Sequence, residues 1–312
     1  MVVANGGRSL EREVSLRSGR RAADALQALG YEVTVLDPDH TFVGRIRELE
    51  PAFVFIAMHG RGGEDGTLQD LLEILHVPYT GSDVHASGRC LDKHSFKELL
   101  AGQGLPTPEW HSFNREAFSE FGAADTLEEL TEQLGLPFVL KPAREGSSLG
   151  IKFVHSPGEF GQAIVSALGY DDRVLIERFV DGRELAVTVL GPAEAPEPLP
   201  IVEIQTDEPF YTFRAHYDAG VATMAVPELG EDVRRRVEEV AVRAYEVAGC
   251  RDFARVDILL DGDGTPQILE INTIPGLTET GPARYAAEAA GLNFTALIER
   301  VISRVAARPA RT

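Results

Sequence analysis

The chain has 312 residues, 44% hydrophobic and 25% charged, with a formal net charge of −19. That length calls for two or three domains, and the excess of acid argues against a nucleic-acid partner while leaving room for a locally basic small-ligand site. Cys90 and Cys250 form neither a disulfide framework nor a metal-binding spacing, and no apolar run reaches the length of a membrane span, so a soluble cytoplasmic protein is expected.

The first elements read as strand Met1–Ala4, a turn at Asn5-Gly6-Gly7, helix Glu11–Leu29 and strand Tyr31–Leu36, the start of an open parallel α/β sheet. The dinucleotide fingerprint G-x-G-x-x-G is absent. By position alone Glu11 is a helix-start acid, favourable against the helix dipole. A continuous apolar strand, Phe53–Met58, runs into His59-Gly60-Arg61-Gly62-Gly63-Glu64-Asp65-Gly66 and then helix Thr67–Leu75. A glycine-rich, charged loop at the carboxyl end of a parallel strand is where open α/β sheets bind ligands. A domain boundary is placed near residue 88, followed by a helix Leu91–Ala101 that carries Lys93.

Strand Pro137–Lys141 leads into the loop Ala143–Gly150 and strand Ile151–Val154. Within that loop Gly146-Ser147-Ser148-Leu149-Gly150 matches G-x-S-x-G, but a nucleophile elbow needs a following helix. A strand after the loop suits instead a flap of backbone N–H groups over phosphates, with Lys141 beneath. Strands follow at Val174–Phe179, Leu185–Leu190 and Ile201–Gln205, and the irregular aromatic stretch Asp207–Ala222 reads as a lid. Helix Glu231–Ala248 comes next, and a helix Phe294–Val305 closes the chain.

Between those helices, FARVDILLDGDGTPQILEINTIPG reads as a β-hairpin turning at Asp263-Gly264. That register sets Asp257 opposite Glu270 and Arg255 opposite Asn272. Side chains two apart share a face, so these four form one polar patch, while Val256, Ile258, Leu269 and Ile271 point into a core. Two carboxylates and an amide suit a hard, oxygen-seeking cation such as Mg²⁺. An adjacent arginine suits a phosphate or a developing oxyanion. The bland reading, a solvated hairpin face, is open on this stretch alone.

Taken together, GGRSLEREVSLRSG, HGRGGEDGTLQ, PYTGS, LDK, VLKPAREGSSLGIKF, VLIERFV, ARVDILLD and LEINTIPGLT resemble, in order, the D-alanine–D-alanine ligases of the ATP-grasp superfamily. The resemblance implies an α/β, three-domain ATP-grasp fold divided at 1–88, 89–183 and 184–312. It implies ATP and two Mg²⁺ (Mn²⁺ possible), a D-amino acid substrate, an acyl phosphate intermediate and a homodimer. By the same likeness Lys93 and Lys141 contact the ATP phosphates, Ser147 and Ser148 lie in the loop closing over them, Glu177 to Val180 hold adenine and Glu184 the ribose. Asp257, Glu270 and Asn272 hold the metal. Arg255 and the N–H of Gly276 face the reacting carboxylate. Glu11, linked with Ser147 and Tyr217, takes the substrate ammonium, and His59 lies near the substrate carboxylate.

Two departures from the family pattern stand out, one in the lid and one on the acceptor side. His216 stands where the pattern has a phosphate-facing lysine, so its charge near neutral pH is conditional. Gly281-Pro282 stands where it has Ser-Leu, which removes a hydroxyl and stiffens the loop. The leading expectation is dipeptide synthesis. The alternative is a diverged biosynthetic ligase, such as one resembling D-cycloserine synthetase, whose activated carboxylate is attacked from within the same molecule. An ATP-binding regulatory module without turnover is disfavoured by the intact acids and lysines.

Overall fold

The computed structural model describes residues 1–120, 127–192, 194–207, 211–212, 214 and 220–305. Their strands form three sheets, taken in chain order. The first is parallel, with β1 (Val2–Ala4) between β2 (Thr34–Leu36) and β3 (Val54–Ile56). All residues of β1 and β3 are buried, as expected of parallel strands covered on both faces. The second sheet is antiparallel and contains β4 (Trp110–Asn114), β5 (Phe138–Pro142), β6 (Lys152–Val154) and β7 (Arg173–Arg178) in the order β4-β7-β5-β6.

The third sheet is also antiparallel. It comprises β8 (Gly182–Gly191), β9 (Glu197–Pro198), β10 (Val202–Thr206), β11 (Ala222–Ala225), β12 (Asp252–Asp261) and β13 (Pro266–Asn272). Its main order is β11-β10-β8-β12-β13, with β9 against β8. Helix Glu231–Ala248 covers one face, burying Val237, Ala241, Ala244 and Tyr245 at a 3–4-residue spacing. The other face is covered by the C-terminal helices at its Phe253 end and borders the cleft described below at the other. Helices Pro282–Ala289 and Phe294–Ile302 share a core with the first sheet and with one end of the third, through Leu26, Phe55, Val202, Phe253, Ala286 and Ile298. The chain between β13 and those helices is thereby pressed against the N-terminal elements.

Two sequence expectations change. The helix expected at Leu91–Ala101 is Lys93–Gly102, and a helix the sequence reading did not expect, Val84–Leu91, precedes it. Asp92 breaks them with an extended backbone and caps the second, its side chain accepting from the N–H of Ser95. In the hairpin, Asp257 is opposite Glu270 and Arg255 opposite Asn272, as expected, but the register slips between Asp257 and Ile258. Ile258 pairs with Ile268, so Leu269 is the extra residue of a β-bulge. Ile268 takes the buried core position, and Leu269 turns out to line the cleft. The turn is correspondingly closed by Asp261 N–H to Thr265 O. Among the described residues no helix is long and apolar enough to cross a membrane.

Candidate active site

Strand alternation and two glycine loops build two adjoining cavities that meet at Tyr211. The larger lies between the second and third sheets and encloses about 1200 Å³, open solvent included. Eight sequence-identified residues line it: Lys93, Lys141, Ser148, Glu177, Val180, Glu184, Asp257 and Glu270. Seven others line the smaller cavity, of about 400 Å³: Glu11, His59, Ser147, Arg255, Asn272, Gly276 and Gly281. His216 and Tyr217 lie outside the described residues. The loop Gly146–Gly150 runs into a strand, β6, and not a helix, so the serine-hydrolase elbow has no structural basis.

In the larger cavity the cations stand on acids. Lys93 Nζ lies 2.7 Å from Glu270 Oε2 and donates to the Glu145 carbonyl at 2.7 Å. Burial works against the charge on both side chains, but each holds the other ionised: Lys93 is raised, and Glu270 is brought down to about 2. Glu177, only 2% exposed, is gripped by Lys141 and Lys97. Its charge is kept against burial by these two ammonium groups, and its carboxyl stays below the usual range. Lys97 was not singled out from the sequence. The only signal was its place four residues after Lys93, on the same helical face. Burial lowers Lys97 to about 8. Glu184 is pushed up to about 7, chiefly by burial, although it accepts a bond from Tyr211 N–H.

Arg255 grips Asp257 with two bonds of 2.7 Å, and Asn272 donates to the same carboxylate at 2.8 Å. Burial disfavours the guanidinium charge, but Asp257 outweighs it and raises Arg255. Among the described residues no three His, Cys, Asp or Glu side chains are grouped to hold a metal ion. The oxygen set available is Asp257, Glu270 and the amide of Asn272, on one face of one hairpin. Two carboxylates and an amide fit a hard divalent ion such as Mg²⁺.

The smaller cavity is organised by backbone bonds. Glu11 sits at the N-cap of helix Arg12–Ala28 yet makes no capping bond with its side chain. It turns inward to accept from the Ser147 hydroxyl, 136 residues away. Burial raises its pKa ahead of the opposing Ser147 bond. Ser147 and Ser148 both have left-handed backbones, with φ of 50° and 59°. Strain of that kind gathers where a loop must hold an unusual shape. Ser148 donates to the Tyr211 carbonyl at 2.6 Å.

His59 is neutral, its pKa lowered by burial to about 4. The Ile274 carbonyl can only accept, so His59 Nδ1, 2.9 Å from it, is the protonated nitrogen and the donor. In the neutral ring Nε2 then accepts from Ser18 Oγ at 2.8 Å, and the same hydroxyl accepts the Leu277 N–H at 3.2 Å. Both ring nitrogens are thus engaged with the protein. Glu64 completes the brace, accepting from Gly60 N–H at 2.7 Å and Ile274 N–H at 3.2 Å. Burial and then the nearby Glu11 push it up to about 8. Ser18 and Glu64 were also missed as site residues. A serine inside a helix carries no periodic signal, and Glu64 was one acid in a charged loop.

Arg61 ties the first glycine loop to the second, with Nε 3.0 Å from Glu145 and Nη2 3.3 Å from buried Asp171. Asp171 also accepts from the Arg144 N–H at 2.9 Å, anchoring the base of the loop that carries Ser147 and Ser148.

Comparison with known proteins agrees across the whole chain. The family profile for the D-ala D-ala ligase C-terminus matches residues 99–303, and that for the D-ala D-ala ligase N-terminus matches 43–82. A D-alanine–D-alanine ligase of Desulforudis audaxviator is 43% identical over 96% of this chain and 96% of its own. The crystal structure of a D-alanine–D-alanine ligase from Bacillus anthracis superposes with a TM-score of 0.84 at 31% identity, covering 98% of this chain and 97% of that one. The Bacillus anthracis structure complexed with ATP gives 0.82 at 29% identity, with 98% and 97% coverage.

Proposed function

The chain belongs to the D-alanine–D-alanine ligase family and has its ATP-grasp fold, and from that premise we propose that it joins D-alanine to a second D-amino acid, in the first instance another D-alanine, at the expense of ATP. One observation carries this reading: the cleft and the smaller cavity meet along a single hairpin. Asp257 and Glu270 line the cleft, and Arg255 and Asn272 line the adjoining cavity. A nucleotide's terminal phosphate and a substrate carboxylate would meet there.

On this reading Lys93 and Lys141 take the phosphates and the Glu177 to Val180 strand end takes adenine. Glu184 takes the ribose, and the loop of Ser147 and Ser148 closes over the phosphates. Asp257, Glu270 and Asn272 would hold Mg²⁺, which when bound neutralises charge on the transferring phosphoryl group. An oxygen of the donor carboxylate attacks the γ-phosphorus as the bond to ADP breaks, giving an acyl phosphate and ADP. Arg255 offsets the charge that gathers on the donor carboxyl. The acceptor amine then attacks the acyl carbon, and phosphate leaves as the amide forms. Arg255 and the Gly276 N–H face the tetrahedral oxyanion, each such donor being worth roughly 3–4 kcal/mol. Glu11, with Ser147 and Tyr217, receives the donor ammonium. With both nitrogens engaged, His59 acts by holding the Ile274 to Leu277 segment beside the substrate carboxylate. His216 would join the phosphates from the aromatic stretch.

The test is phosphate release from ATP and Mg²⁺ with single D-amino acids, products being identified by mass. D-Alanyl-D-alanine from D-alanine alone is expected. Absence of phosphate release with every D-amino acid would overturn the ligase reading. Gly281-Pro282 supports a second reading, a different acceptor or intramolecular closure, marked by turnover only with a D-serine-derived substrate. Family likeness also supports a cytoplasmic homodimer, testable by light scattering and cell fractionation.

A further inference from the structure

The loop from Ile274 to Gly281 is fixed from both sides. From the N-terminal elements, Glu64 takes the Ile274 N–H, Ser18 takes the Leu277 N–H, and Arg21 donates to the Leu277 carbonyl. From the C-terminal side, Arg284 donates to the Glu279 carbonyl, and the Gly281 N–H closes a turn onto the Thr278 carbonyl at 3.2 Å. Within this frame Gly281 has an extended backbone, φ −79° and ψ 138°, which any residue adopts. Glycine is therefore not needed there for its conformation. It is needed for space: a Cβ at 281 would lie 2.6 Å from the Gly276 carbonyl oxygen and 3.4 Å from its carbon. The obstacle is backbone, and the bonds above restrain the two segments, so neither yields cheaply. At Gly276 itself, an added Cβ would meet nothing within 4 Å.

We propose that Gly281 is a positioning residue for the reaction, its missing side chain letting the start of helix Pro282–Ala289 lie against the Gly276 carbonyl and so fixing the place of Gly276 in the wall of the smaller cavity that both residues line. The proposal rests on the ligase reading. It reverses what the family pattern alone suggests: a serine at 281 does not restore a missing hydroxyl but pushes the Gly276 peptide out of line.

The experiment compares the unaltered protein with Gly281→Ala and Gly281→Ser, using ATP, Mg²⁺ and D-alanine. It records kcat, KM for each substrate, and ATP affinity by equilibrium binding. Both variants are expected to lose about 100-fold in kcat, the scale of one misplaced oxyanion donor. ATP affinity is expected to stay within twofold, because Gly281 and Gly276 line the smaller cavity and not the larger cleft. A Gly281→Ser protein that turns over as fast as the unaltered one, or faster, overturns the proposal. So does a loss of ATP affinity alongside kcat, which would mark general disruption rather than local aim. An unaltered protein that makes no peptide and releases no phosphate removes the ligase reading and this proposal together, a result distinguishable from the other two.

Discussion

The two cavities solve different physical problems in different ways. In the larger cleft charges stand in pairs: Lys93 with Glu270, Lys97 and Lys141 with Glu177, and, at the border of the two cavities, Arg255 with Asp257. Matched pairs let highly charged side chains stand in a buried wall, ready to exchange partners when a polyanion and a divalent cation enter. In the smaller cavity, away from Arg255, charge is suppressed. His59 is neutral, Glu64 holds its proton up to about pH 8, and geometry is enforced by bonds to the backbone of residues 274–281. The first is a site for charge, and the second is a site for shape. A small zwitterion that must be held in line for attack needs the second kind.

The largest expected effect tests the charged half. Glu270→Gln removes a carboxylate from the proposed metal set, and should lower turnover on the order of a thousandfold. Chelation with EDTA should do the same to the unaltered protein, with recovery on adding Mg²⁺ or Mn²⁺. Activity that survives either treatment would break the assignment of that half.

Next is Lys97→Met, which strips one of two cations from a buried carboxylate. Urea unfolding should show a loss of about 3 kcal/mol, the low end for a broken buried pair because Lys141 remains. The Michaelis constant for ATP should rise as Glu177 shifts. An unchanged stability would mean that Lys97 is not needed to hold Glu177.

The shape half makes a pH prediction. The folded chain keeps a proton on Glu64 to about pH 8, whereas the unfolded chain releases it in the ordinary carboxylate range. The folded state therefore binds more protons across that window, so this residue's contribution to stability falls as pH rises and levels off above 8, by at most about 1.4 kcal/mol per unit. Urea midpoints between pH 5 and 9 should show the slope, and Glu64→Gln should flatten it. A Glu64→Gln slope matching the unaltered protein would assign the dependence elsewhere.

The smallest effect concerns the tie between the halves. Arg61 is half exposed, so its ion pairs to Glu145 and Asp171 contribute about 1 kcal/mol at most. Arg61→Ala should leave stability nearly unchanged but loosen the serine loop. Phosphate released per peptide formed should then rise roughly two- to fivefold, and added salt should mimic the substitution. Coupling that is insensitive to both would show that the loop closes without this latch.

The sequence by itself determined whatever repeats within one element or one motif. Alternation along β12 and β13 placed Arg255, Asp257, Glu270 and Asn272 on a common face, and the loop spacing identified the two glycine turns. The ordered run of motifs identified the family. Only the tertiary structure decided which distant side chains complete them. Lys97 meets Glu177 across 80 positions of chain, Ser18 meets Leu277 across 259, and Glu64 meets Ile274 across 210. The Leu269 bulge and the closeness of Gly281 to Gly276 belong to the same class. Periodicity reports which way a side chain points from its own backbone. What it meets there depends on how separate elements pack, and that is fixed by the shared core that presses the C-terminal loop against the N-terminal helix and loop.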